Sequence, residues 1–170
     1  MDKRKRAFLI LGSGNRGNRV MVRLFKKSGC WGDVVGHSDG WKSRLDKGIW
    51  PEQDVCNIVW RTHNSTNKTN NKKDKTSKTS IYEMVDECIS RGYEPVIINI
   101  YRDIRLTSIA CCTAGYKGTV ESFSENHLNS AAREFKVLCD FHKRGHTVFV
   151  VDFSTLQQNP ALYIRMFSTA

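Results

Sequence analysis

Four predominantly apolar runs, at 7–11, 55–60, 95–101 and 147–151, divide the chain, and each is continuous rather than alternating. An alternating run leaves one face wet. A continuous one fits a strand covered on both faces, so the four predict a mainly parallel sheet lying between helices. Between the runs, apolar residues recur at helical spacing: Val20, Met21 and Leu24 within 18–27, then Met84, Val85 and Cys88 within 81–91. A third helical stretch at 126–142 carries Leu128, Ala131, Ala132, Phe135, Leu138 and Cys139, which predict its buried stripe. Gly92 and Gly145 follow basic residues where helix C-terminal caps belong, and Pro160 suits the first turn of a last helix. Strand and helix alternate, so the fold class is α/β with four or five strands, and ligand is expected at the carboxyl ends of the strands. Residues 31–50 have no period that assigns them. The stretch 64–80 is dominated by Asn, Lys, Thr and Ser; too little of it can be buried to offset ordering, and it predicts a mobile loop.

The first apolar run breaks into Gly12-Ser13-Gly14-Asn15-Arg16-Gly17-Asn18-Arg19, and the helical stretch begins at Asn18. A glycine turn between a buried strand and a helix lets several backbone N–H groups converge on an anion, to which the helix adds the positive end of its dipole. Gly12 and Gly17 have the spacing of a nucleotide-binding P-loop, but Asn18-Arg19 stand where an ATPase or kinase carries Lys and then Ser or Thr. The turn therefore predicts phosphate binding without the side chain that normally holds magnesium.

Three more clusters fall at strand ends. Arg61-Thr62-His63 follows the second strand: a histidine titrating near neutrality suits a base at the rim, and an arginine there faces a transferring anionic group. After the third strand, Arg102 and Arg105 with Thr107 and Ser108 make a candidate second phosphate site opening a helix. The fourth run ends in Asp152, as a magnesium-organising aspartate would.

Composition narrows the choice of partners. A chain of 170 residues is one domain, 1–170, and no apolar run approaches the roughly 20 residues of a membrane span. The net charge of +10 points to anionic partners: nucleic acid, a polyanionic sugar or a phosphorylated nucleotide. Six cysteines form no C-x-x-C pair, which fits buried thiols in a reducing compartment and a cytoplasmic protein.

Taken in order, the glycine turn, Arg61-Thr62-His63, Tyr101-Arg102-Asp103 and Asp152-Phe153-Ser154-Thr155-Leu156 with Pro160 resemble the sulfotransferase family. The resemblance implies a three-layer P-loop nucleotide-binding fold and 3'-phosphoadenosine 5'-phosphosulfate as donor, with 3',5'-adenosine bisphosphate as product and no metal. It implies that Gly12, Ser13, Gly14, Asn15, Arg16, Gly17, Asn18 and Arg19 hold the donor's 5' end, with Arg16 or Arg19 supplying charge because Asn15 occupies the position of the family's turn base. His63 is then the catalytic base and Arg61 neutralises the sulfuryl oxygens. Arg102 binds the 3'-phosphate, assisted by Ser108, since Ala110 occupies the place of the family's serine. The acceptor is a small-molecule or polyanionic hydroxyl or amine. Two other readings fit the same residues: an atypical P-loop kinase using ATP and magnesium through Asp152 or Asp103, and a silent relative that binds nucleic acid or a protein through its basic surface.

Overall fold

The computed structural model describes residues 4–12, 16–32, 49–51, 55–61 and 80–169. Five strands and six helices follow in the order β1 (Arg6–Leu11), α1 (Asn18–Lys27), β2 (Trp31–Gly32), β3 (Asn57–Arg61), α2 (Ile81–Ser90), β4 (Glu94–Tyr101), α3 (Ile104–Thr113), α4 (Val120–Lys143), β5 (Thr147–Asp152), α5 (Phe153–Gln158) and α6 (Pro160–Thr169). The strands form one all-parallel sheet in the order β2-β3-β1-β4-β5. The expected α/β class with four or five strands is what the chain adopts, in three layers.

The layers follow from the pleat. In β1, Ala7, Leu9 and Leu11 point to one face, where they meet Trp60, the α2 residues Met84 and Val85, and the α4 residues Val137, Leu138 and Phe141. Phe8 and Ile10 point to the other face and pack with Met21, Val22 and Phe25 of α1, Leu156 of α5, and Tyr163 and Phe167 of α6. Both faces are dry, which is why the runs read as continuous. Covering β1 on two sides also accounts for its position at the middle of the sheet.

The connections diverge around β1. From β1 the chain runs through α1, on one face, to the far edge at β2; from β4 it runs the opposite way through α3 and α4, with α4 on the other face, to β5. Right-handed crossovers demand this, because leftward and rightward connections must use opposite faces. β1 and β4 are neighbours whose chains part at their carboxyl ends, the switch point at which parallel sheets of this kind offer a ligand crevice.

The ends of the helices match their sequence signals closely. Gly92 (φ 76°) and Gly145 (φ 82°) turn left-handed just beyond α2 and α4, and Pro160 opens α6. The stripe expected on the third helix is only partly the one buried: Leu138 faces inward, but two of its larger members do not. Leu128 and Phe135 are 59% and 67% exposed, while His127, Glu134, Val137, Leu138 and Phe141 face inward. The physical reason is a buried polar cluster on the middle of α4, described below, which turns His127 and Glu134 inward in place of Leu128 and Phe135. The helix also begins earlier than its apolar period, at Val120, where Thr119 and Ser122 form a capping box. All six cysteines are free thiols, and Cys30, Cys88 and Cys111 are buried. Of the stretch 64–80, all but Ser80 lies outside the described residues.

Candidate nucleotide site at the carboxyl edge of the sheet

Leu11, Arg61, Tyr101 and Asp152 end their strands at the same edge of the sheet in a staggered line: Ile10 is paired with Arg61 and Leu11 with Asn99, while Tyr101 and its partner Asp152 run two residues further. The sheet's register therefore brings the turn after β1, Arg61, Arg102 and Asp152 to one edge, as the sequence predicts. Ser13, Gly14, Asn15, Thr62 and His63 lie outside the described residues.

Gly12 and Gly17 bracket the turn, and each is needed there. The Asn18 side chain folds back so that its Nδ2 donates to the Gly12 carbonyl at 2.8 Å, and a Cβ on Gly12 would stand 3.0 Å from Asn18 Oδ1. Gly17 has φ 102°, in the region L side chains avoid, and a Cβ there would fall on the ring of Phe153. Gly17 is also the N-cap of α1. It offers no side-chain cap, and the first turn of α1 has no acidic residue. The other helices differ in this respect: Ser80 caps α2, Asp103 caps α3, Thr119 caps α4 and Asp152 caps α5. Among the described residues no carboxylate stands at the amino end of α1, where the helix dipole is positive.

Phe153 joins the turn to the second cationic cluster. Its ring lies against Gly17, and the Arg102 guanidinium carbon stands 5.1 Å from the ring centroid. Stacking on an aromatic face holds a guanidinium in place. Arg102 and Arg61 are half-buried and Arg19 is exposed, so three cations surround the edge.

The floor of the crevice is a buried polar cluster that sequence reasoning missed. Arg16 is 2% exposed and turns inward: its Nη1 donates to Glu134 Oε2 at 2.7 Å and its Nη2 to the His127 carbonyl at 3.0 Å. The same Glu134 oxygen accepts from Asn99 Nδ2 at 3.1 Å, and Glu134 Oε1 accepts from Ser130 Oγ at 3.0 Å. Asn99 Nδ2 also reaches the Leu11 carbonyl, at 3.2 Å, tying the end of β1 to β4. Glu134 is 4% exposed, and this carboxylate neutralises Arg16. Among the described residues Arg16 Nε is buried without a hydrogen-bond partner, at a cost of about 1–3 kcal/mol unless an acceptor meets it. His127, beside this ion pair, contacts the Cys111 thiol at 3.5 Å, and its pKa is held below 6.5 by burial and then by the Arg16 charge, against an opposing pull from Glu134. No local pattern signals this cluster. The only sequence trace is three polar residues, His127, Ser130 and Glu134, along one helix.

Two expectations change accordingly. Arg16 is not a free charge for a ligand; it anchors the turn to α4. Ser108 does not face the crevice either: it is 0% exposed in the seam between α3 and α4, where its Oγ donates to the Ile104 carbonyl at 2.7 Å and accepts from Ser124 Oγ at 3.0 Å. The i to i−4 reach of a helical serine hydroxyl accounts for that inward turn.

Both aspartates near the edge are occupied. Asp152 Oδ2 accepts from the Thr155 backbone N–H at 2.8 Å and from Thr155 Oγ1 at 3.1 Å, and Asp103 Oδ1 accepts from the Leu106 N–H at 2.9 Å. The arrangement is that of a three-layer α/β protein with the amino end of α1 at its topological switch point. No protein-family model matches the chain, and no curated protein gives a significant match to its sequence.

Proposed function

We propose that the carboxyl edge of the sheet binds a nucleotide bearing phosphate at two positions, and that the chain transfers a sulfuryl group from 3'-phosphoadenosine 5'-phosphosulfate to a hydroxyl or amine acceptor. The observation that carries the reading is the uncapped, glycine-bracketed amino end of α1 packed through Phe153 against Arg102, in the crevice between β1 and β4. The N–H groups at the start of α1 and the Arg19 side chain hold the donor's 5' end, and Arg102 takes the 3'-phosphate. Arg61, at the end of the neighbouring strand, neutralises the sulfuryl oxygens. The donor supplies an activated sulfur whose leaving group is a phosphate. As the acceptor oxygen or nitrogen bonds to sulfur, the bond between sulfur and the bridging phosphate oxygen breaks, and that oxygen leaves with the electron pair as 3',5'-adenosine bisphosphate. His63, two residues beyond Arg61, takes the acceptor's proton.

The residues present fit this donor better than they fit ATP with magnesium. Asn18-Arg19 replace the Lys and hydroxyl residue of a kinase turn, and the carboxylates of Asp103 and Asp152 already cap helices.

Thermal unfolding with added nucleotide tests the reading. At 100-fold excess over Kd, 3',5'-adenosine bisphosphate without metal is expected to raise the Tm by about 5–10 °C. Arg102→Met should lower the affinity at least tenfold. Protection by ATP with magnesium alone would replace the reading with a kinase, and protection by neither nucleotide would end it.

A further inference from the structure

At the opposite, amino edge of the sheet lies a cavity of about 220 Å³ between α1, α6 and the first residues of β1 and β3. Its walls are aromatic: Phe8 and Phe25 stack at 4.4 Å, Phe25 and Phe167 stand 5.2 Å apart, and Tyr163 lies 6.3 Å from Phe167. Met21 and Leu24 complete the apolar lining. The single ionised group is Arg6. Its Nε is buried with no hydrogen-bond partner, and its Nη1 makes one long contact, 3.4 Å, to the Phe167 carbonyl. Among the described residues no carboxylate lines the cavity: of the two register partners of Arg6, Asn57 is in the wall and Glu94 is not. Cys30, also in the wall, has its thiol pushed up to about 11 by burial and stays neutral, so it acts as a small apolar surface and not as a nucleophile.

A half-satisfied guanidinium at the end of an aromatic slot asks for one anion on an apolar body. Size limits that body. An apolar cavity of about 150 Å³ admits one benzene ring, so about 220 Å³ takes a ring and a short acid arm but not a fused polycycle. We propose that this cavity is a binding site for a single-ring aromatic carboxylate of the phenylacetate class, with the carboxylate on Arg6 and Asn57 and the ring among Phe8, Phe25 and Phe167. The site does not depend on the nucleotide reading, because it uses none of the residues of the carboxyl edge.

The test compares phenylacetate with phenethylamine, which has similar shape and opposite charge, by titration of the wild-type protein followed by amide NMR. Phenylacetate is expected to bind, shifting the resonances of Ser28, Cys30, Asn57 and Tyr163, while phenethylamine binds at least tenfold more weakly. Arg6→Gln should cost phenylacetate at least tenfold and bring the two ligands level. Equal binding of both by the wild type, binding of neither, or shifts confined to residues 12–19 and 102 would each overturn the proposal, and none of these outcomes requires the variant to fold.

Discussion

Arg16 illustrates how far the direction of one side chain can depart from what its neighbours in sequence imply. Among the basic residues of the turn it stood as a ligand for phosphate, yet its partner Glu134 is 118 positions away, and nothing in a local pattern marks that pairing. Removing Arg16 would leave Glu134 charged in a dry interior. Arg16→Met should therefore cost about 3–5 kcal/mol, whereas the double variant Arg16→Met/Glu134→Gln should recover much of it, both read from urea unfolding. His127, next in the same cluster, gives a pH signature. Its folded pKa lies below the 6.5 of the free side chain, so below that pH the unfolded chain binds a proton the folded one refuses. Stability is expected to fall as pH drops through the window beginning near 6.5, and to flatten once the folded-state value is passed; His127→Gln should remove that slope in a pH series of denaturation midpoints. Cys111, Arg16 and Glu134 surround the ring, and of these the Arg16 cation opposes protonation while Glu134 favours it.

Individual elements were legible wherever backbone chemistry is local. Glycines after α2 and α4, proline at the start of α6 and the continuous apolar runs of β1 and β4 all announce themselves within a few residues. The orientation of α4 was not legible, because a period search places the most apolar stripe inside, and here His127 and Glu134 claim the interior. β2, with two paired residues, was too short to carry any period. The two kinds of left-handed glycine can be separated by mutation. A Cβ at Gly145 meets nothing within 4 Å, so Gly145→Ala carries only the left-handed backbone cost of about 1–2 kcal/mol. At Gly17 the same cost adds to a collision with Phe153, and Gly17→Ala is expected to lose about 3 kcal/mol or more. Moving Phe153 also displaces the surface on which Arg102 rests, so nucleotide affinity should fall with stability at position 17 and remain unchanged at 145; thermal shift with and without 3',5'-adenosine bisphosphate measures both.

For the whole molecule, sequence conveyed the kind of layers but not their order. The order β2-β3-β1-β4-β5 depends on which way each crossover turns, a decision made by handedness and by which faces of β1 must be covered, not by any one segment. Once that order is known, the position of the crevice follows, and residues far apart in the chain, Gly17, Arg102 and Phe153, become neighbours. The same architecture leaves α2, α3, α4 and α5 each closed by a stopper of their own, Ser80, Asp103, Thr119 or Asp152, while α1 has none. On the reading proposed above, a helix lacking its stopper would borrow one from the anion that docks against it, and the phosphorylated guest would be the last piece of the fold.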